Sequence, residues 1–323
     1  MDRTVLYLLL PALSFGATFL IRYIARKKEL LDRPNERSSH TIPTPRGGGL
    51  AIMAVFYSGL ICLYAEGSVA PQLFFALLCA LPIVAVGLID DLVSLSARLR
   101  FAVQGFSAAA ALIALGGIDA LEFGLFRLEG VWINAIAFLM IVWYTNLYNF
   151  LDGIDGYAGS EAVFAGGAGY LLFGSEAGLL IAAAAAGFLV LNWHKASIFM
   201  GDVGSAPLGF LFAVVALSDA RSPDFLGWVV LLSLFWFDAT VTLWRRWRNG
   251  ERLSQAHKKH AYQRLQQSGL SHDGVVLRGM ALNAVLFLML WMAAAPAYWA
   301  VFVAAVALLW FAMKYVDRKK AFS

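Results

Sequence analysis

Long apolar runs separated by short polar segments dominate the chain. Stretches of roughly 17–20 apolar residues can cross a bilayer as helices. They fall near 4–23, 47–65, 71–89, 99–117, 131–149, 159–175, 177–193, 206–220, 226–243, 279–297 and 299–315. The pattern predicts an all-α integral membrane protein of about eleven transmembrane helices, in a single domain over 1–323 without repeats or low-complexity linkers. The helices around 159–193 are short and rich in Gly and Ala, which permits close helix contact or a tilt that opens a groove. Between Ile118 and Gly130, Leu121, Phe123 and Leu125 alternate with other residues, predicting a small hairpin. The first run, Leu6 to Ile24, has no basic leader or small-residue cleavage site and reads as a retained anchor.

Composition supports the pattern: 60% of residues are hydrophobic and 14% charged, against about 25% charged in a soluble domain. The net charge of +4 is no sign of a nucleic-acid partner, because membrane proteins gather Lys and Arg on cytoplasmic loops. Alternate loops here carry 22 and three such residues, the poor side holding only Arg3, Arg127 and Arg221. The N-terminus is therefore expected in the periplasm and the C-terminus in the cytoplasm. Nearly all other acidic, basic and histidine residues lie in the cytoplasmic loops, about 24–46, 90–98, 150–158, 194–205 and 244–278. Cys62 and Cys79 sit inside apolar runs and read as small buried residues.

Five polar clusters lie on that face. Asp90 and Asp91 are adjacent carboxylates at the end of the third run, pointing about 100° apart on a helix; a solvated helix end explains them equally well. Asn146, Asn149, Asp152 and Asp155 recur every third residue, a spacing that puts two amides and two carboxylates on one helical face. Asp202 stands between Gly201 and Gly204, where a helix N-cap is the plain explanation. His257, His260 and Arg264 fall on one face of an expected helix, and an anion-binding role suits them better than zinc, for which the usual third ligand is missing. Finally, Asp32, Asn35, Arg37 and Arg46 lie in a loop ending in three glycines. A positive-inside loop explains the charge but not the glycine run.

Collected in one pocket, several carboxylates would repel each other by roughly 4 kcal/mol per close pair at an effective dielectric near 20, so such a pocket needs a cation. Hard oxygen ligands select Mg²⁺ or Mn²⁺, and magnesium commonly binds through one or two carboxylates plus substrate phosphates. Transporters place their sites near the bilayer midplane, often on repeats; these charges lie at helix ends. Asp238, inside the ninth run, is the exception, equally suited to pairing within the bundle or to lining a groove.

The segments DDLVSLSARLR at 90–100, NLYNFLDGIDGYAG at 146–159, FMGDVGS at 199–205, AHKKHAYQRL at 256–265, and DRPNERSSH with PTPRGGG within 32–49 together resemble the polyprenyl-phosphate N-acetylhexosamine-1-phosphate transferases. The resemblance implies transfer of a sugar 1-phosphate from a cytosolic UDP-N-acetylhexosamine to undecaprenyl phosphate at the bacterial inner membrane, releasing UMP. It implies Mg²⁺, with Mn²⁺ as a substitute, and often a homodimer. It makes Asp202 the metal ligand and Asp90 and Asp91 the pair that handles the lipid phosphate or supports the metal. It puts Asp152 and Asp155 in the nucleotide and catalytic cleft, and makes Asn192 and Phe199 the amide and aromatic that hold uracil. His257 and His260 would neutralise diphosphate or organise the cleft, with Arg264 on their face.

The peptidoglycan-precursor branch of that family would show a Lys soon after the aspartate pair and a denser histidine motif, so the chain looks closer to the O-antigen-initiating branch. The donor then carries N-acetylglucosamine or a 6-deoxy relative such as N-acetylfucosamine or N-acetylquinovosamine. A monoester phosphate already loses its second proton near pH 6, so direct attack by the lipid phosphate is favoured over an aspartyl-phosphate intermediate.

Overall fold

The computed structural model describes residues 3–34 and 42–322; Asn35 and Arg37, two of the expected substrate residues, lie outside the described residues. Helices account for most of the chain: α1 (Arg3–Lys27), α2 (Gly49–Ala65), α3 (Pro71–Leu78), α4 (Leu81–Leu92), α5 (Ala97–Ala114), α6 (Ile133–Leu151) and α7 (Tyr157–Phe173). They continue with α8 (Glu176–Asn192), α9 (Asp202–Ser218), α10 (Asp224–Leu231), α11 (Ser233–Arg248), α12 (Ala261–Gln267), α13 (His272–Met292) and α14 (Tyr298–Lys319). Each of the eleven apolar stretches overlaps one of these helices or a consecutive pair. By length and composition, Arg3–Lys27, Pro71–Leu92, Ile133–Leu151, His272–Met292 and Ala295–Lys319 can each cross a membrane, and α10 with α11, bent by 66°, makes a sixth span if counted as one. The protein is a multi-pass helical membrane protein.

Local chemistry sets several boundaries. Serines at 96, 175 and 271 each cap a helix, accepting from the backbone N–H of Leu99, Gly178 and Gly274. The expected hairpin is present, with β3 (Ala120–Glu122) pairing antiparallel to β4 (Arg127–Glu129). A second short antiparallel pair, unmarked in the sequence, joins β1 (Leu31–Asp32) to β2 (Thr44–Pro45).

Buried from Val203 to Leu217, α9 is the axis of the bundle, and it packs against α6, α4 and α2. An apolar helix wrapped by others needs no polar stripe. Successive helices run up and down, so the ends of α4, α6, α8 and α11 meet the starts of α2, α5, α7, α9 and α13 at one end of the bundle. All the acidic motifs are carried there.

Two expected faces are corrected. Asn146 and Asn149 are helical, but α6 stops at Leu151 and the chain turns through Asp152 to Gly156, so the four polar residues do not share a helical face. Gly156 has a positive φ of 74°, a conformation available to glycine and costly for most residues. Likewise α12 begins at Ala261, leaving His257 in the preceding loop and His260 as the N-cap.

Candidate active site

A polar cavity of about 510 Å³ opens at that end, lined by Asp32, Arg46, Asn149, Asp152, Gly153, Ile154, Asp155, Asn192, Phe199, Met200, Gly201, Asp202, Ala256, His257, Gln263 and His272. Asp202 stands at its centre. One carboxylate oxygen accepts from Asn149 Nδ2 at 3.0 Å and faces Arg46 Nη2 at 3.3 Å, while the other accepts from Arg100 Nη1 at 2.8 Å. Arg100 also bonds Asp90 at 2.9 Å. Asn149 in turn donates to Ser205 Oγ at 2.9 Å, which ties α6 to the first turn of α9.

Asp91 has a different task. Its oxygens accept from the backbone N–H of Asp202 and Val203 at 3.0 and 3.2 Å and from Arg46 Nε at 2.9 Å. It therefore caps the start of α9, where unpaired amides and the helix dipole favour an anion. A Cβ on Gly201, whose φ is +78°, would lie 2.3 Å from Asp91 Oδ2, so only glycine lets the carboxylate in. The glycine run after Arg46 has the same logic. Gly48 N–H and Gly49 N–H donate to the carbonyls of Phe199 and Met200, and a Cβ on Gly49 would sit 2.3 Å from Gly204 Cα. Backbone contact between the two helix starts carries Arg46 to the carboxylates.

Four carboxyl groups, Asp90, Asp91, Asp152 and Asp202, thus gather around two guanidinium groups, Arg46 and Arg100, so acids outnumber cations there. No hydrogen bond or ion pair reaches the Asp152 carboxylate among the described residues. Burial first, and then the charge of Asp202, push its pKa well above the usual carboxylate range, so that it holds its proton. Oxygen donors with an excess of acidic groups fit a hard divalent cation such as Mg²⁺ or Mn²⁺.

Deeper in the cavity, Asp155 Oδ2 lies 3.2 Å from His194 Nδ1 and 3.1 Å from His272 Nδ1, and accepts from Ala196 N–H at 3.2 Å. Burial opposes ionisation of Asp155, but the bond and charge of His272 outweigh it and hold the carboxyl below its usual range. The ligand atoms of Asp155, His194 and His272 lie within 4.8 Å of one another. Two nitrogens and one oxygen suit a transition ion rather than magnesium, so the chain has a second possible metal-binding group.

Other expected residues are placed variously. Phe199 lines the cavity, and its N–H is fixed to Pro45 O at 2.8 Å. Asn192 is buried, accepting from Gly156 N–H and donating to Ile198 O; it straps two cavity loops together. His257 faces the cavity, and burial followed by the neighbouring His260 lowers its imidazole to about 3. His260 is a layer behind, its Nδ1 3.5 Å from Asp238, which also accepts from Ala261 and Tyr262 N–H and so holds the start of α12. Arg264 is turned away, bonded to Asp317 at 2.7 Å and to Lys320 O. Asn146 bonds Gln104 and lines a neighbouring groove. Sequence reasoning missed Arg100, His194 and His272 as site residues. Arg100 had a signal, a pair of cations, Arg98 and Arg100, seven and nine residues beyond Asp91; the histidines had none, because their partner lies 39 and 117 residues away.

That groove is apolar, about 670 Å³, and is walled by residues such as Val86, Phe101, Leu139, Val142 and Trp143; Arg100, Asn149 and Asp202 stand at its polar end. A helical membrane protein with a carboxylate-rich cleft at one face and an apolar groove running into it defines a class that works on a polar group attached to a lipid. Glycosyl transferase family 4 matches residues 73–219, which carry Asp90 through Asp202. The chain is 32% identical over 278 residues to the probable undecaprenyl-phosphate N-acetylglucosaminyl 1-phosphate transferase of Bacillus subtilis (strain 168), covering 80% of this chain and 76% of that protein. It is 30% identical over 308 residues to the decaprenyl-phosphate N-acetylglucosaminephosphotransferase of Mycobacterium tuberculosis (strain ATCC 25618 / H37Rv), covering 82% and 76%. Against the undecaprenyl-phosphate alpha-N-acetylglucosaminyl 1-phosphate transferase of Escherichia coli (strain K12) the identity is 27% over 285 residues, covering 78% and 73%. The chain belongs to glycosyl transferase family 4.

Proposed function

We propose that the protein transfers an N-acetylhexosamine 1-phosphate from a UDP-sugar to undecaprenyl phosphate, giving the undecaprenyl diphosphate sugar and UMP, at the cytoplasmic face of a bacterial inner membrane. The observation that carries this reading is the sharing of Asn149 and Asp202 by the polar cleft and the apolar groove. A nucleotide sugar suits the first and a polyprenyl chain the second, so the reacting phosphates would meet at Asp202. The names of the relatives favour N-acetylglucosamine over the larger muramoyl-pentapeptide donor. Initiation of O-antigen or a related envelope polysaccharide is the matching role. Eleven crossings with the cleft inside fit the 22-to-three charge asymmetry.

Arg100, at the polar end of the groove, would receive the acceptor phosphate, and Arg46 would face the donor diphosphate. Asp202 would hold Mg²⁺, with Asp90 beside it and Asp91 fixing the helix start behind it. A bound Mg²⁺ would neutralise phosphate oxygens and orient them. Asp152, protonated by burial without a cation, would give up its proton to bring negative charge to that ion, and Phe199 would offer an aromatic face for the base. No covalent aspartate is needed, because the acceptor phosphate is largely ionised at neutral pH.

Purified protein incubated with undecaprenyl phosphate and a panel of UDP-N-acetylhexosamines, with and without EDTA, tests the proposal. A lipid-linked diphosphate sugar should form only with metal, and Asp202→Asn should lower the rate by about a hundredfold or more. Failure to form any metal-dependent lipid product from any donor in the panel would sink it.

A further inference from the structure

Behind the cleft lies a second, apolar cavity of about 390 Å³ between α11, α12, α13 and α14. Leu265, Leu282, Ala312 and Val316 are among its walls, and Arg278 and Tyr315 also line it. Because α13 starts in the polar cleft at His272, Arg278 lies six residues, about 9 Å, further along on the cleft side of the bundle. The apolar run of this helix begins at 279, so Arg278 stands at its polar edge, where headgroups would meet acyl chains. Arg278 is exposed, bonds only the carbonyl of Gly274 at 2.7 Å, and has no carboxylate partner among the described residues. Tyr315 is 45% exposed, and Lys319 Nζ stands 5.7 Å from its ring centroid. Asp238 is the one carboxylate in the wall among the described residues, and its oxygens are taken by Thr242 Oγ1 and the N–H groups of Ala261 and Tyr262.

We infer that this cavity binds one anionic glycerophospholipid, an acyl chain between α13 and α14 and the phosphate against Arg278 and Lys319. A cavity between membrane helices with cations at a headgroup-level mouth recognises an anionic lipid through both ends of the molecule. The site shares no lining residue with the acceptor groove, whose walls include α5 and α6. Tyr262 divides the new cavity from the cleft: its hydroxyl donates to Phe150 O at 3.0 Å and would lie 2.0 Å from a Cβ on Gly153, a residue of the cleft wall. A seated acyl chain would therefore brace the turn that carries Asp152.

The inference depends on the membrane fold and not on the transferase reaction, so its test reads lipid binding alone. Native mass spectrometry of the intact protein, exchanged into vesicles of phosphatidylcholine with a minor share of phosphatidylglycerol, should find one phosphatidylglycerol retained per chain. Arg278→Gln, an exposed change that leaves the core untouched, should weaken retention about fivefold, and Ala312→Trp, which fills the cavity, should also weaken it. Equal retention by wild type and Arg278→Gln overturns the proposal. So does equal retention of phosphatidylcholine, which would mean adhesion without headgroup recognition, or displacement by undecaprenyl phosphate at the same stoichiometry, which would make this an acceptor site.

Discussion

At the scale of single residues, the cleft is governed by unequal sharing of charge. Arg100 bridges Asp90 and Asp202 from the groove side, so its loss should be felt mainly by the acceptor. Arg100→Ala is expected to raise KM for undecaprenyl phosphate by about tenfold or more while KM for the UDP-sugar changes little, consistent with loss of a charge-assisted bond. Steady-state kinetics with each substrate varied in turn checks this, and equal effects on both would count against it. His257 shows what burial does to a cation. Its folded value of about 3 lies below the 6.5 of a free imidazole, so between those values the unfolded chain holds a proton that the folded chain does not. The associated stability is complete above about pH 6.5 and is lost as pH falls towards 3. His257→Gln removes the titrating group, so thermal unfolding midpoints should drop less steeply between about pH 6.5 and pH 5 in the variant than in wild type; parallel curves would refute this.

At the scale of elements, the site depends on how closely helix starts approach one another. The contact between Gly49 on α2 and Gly204 on α9 leaves no room for a methyl group. Gly49→Ala should force the two helices apart, destabilise the protein by about 1–3 kcal/mol and reduce transfer by pulling Arg46 from Asp202. Gly16→Ala in α1 is the control, since a Cβ there meets nothing within 4 Å, and an exposed helical Gly→Ala change gains about 0.5–1 kcal/mol. Differential scanning fluorimetry of both variants decides it: equal behaviour would mean that the close approach does not matter. The run of three glycines was visible as something a positive-inside loop could not explain. Its purpose was not, because the atom it accommodates lies 155 residues further along the chain.

Across the whole molecule, the alternation of helices sends every chemistry-bearing segment to one end and leaves the β3–β4 hairpin at the other. Single-cysteine variants test the proposed orientation, after Cys62 and Cys79 are replaced by serine. A cysteine at Leu125, 69% exposed in the hairpin, should react with a membrane-impermeant maleimide in cells with a permeabilised outer membrane. One at Lys258 should react only once the inner membrane is opened. The reverse pattern would invert the topology and remove the cleft from the cytosolic nucleotide sugars.

The apolar runs by themselves determined the helices, because the length needed to cross hydrocarbon is written directly in consecutive residues. The same holds for the hairpin and for the gathering of charge into a few loops, and the five motifs led to the family. What periodicity could not supply was where those loops turn. Spacing alone put Asp152 and Asp155 on the face of Asn146 and Asn149, and Arg264 beside His257, whereas the helix ends and the pairing of Arg264 with Asp317 separate them. Only the packed bundle decided that Asp91 caps α9, that His194 and His272 close on Asp155, and that polar cleft and apolar groove meet at Asp202. Each depends on contacts between residues far apart in the chain, and such contacts leave no local pattern to read.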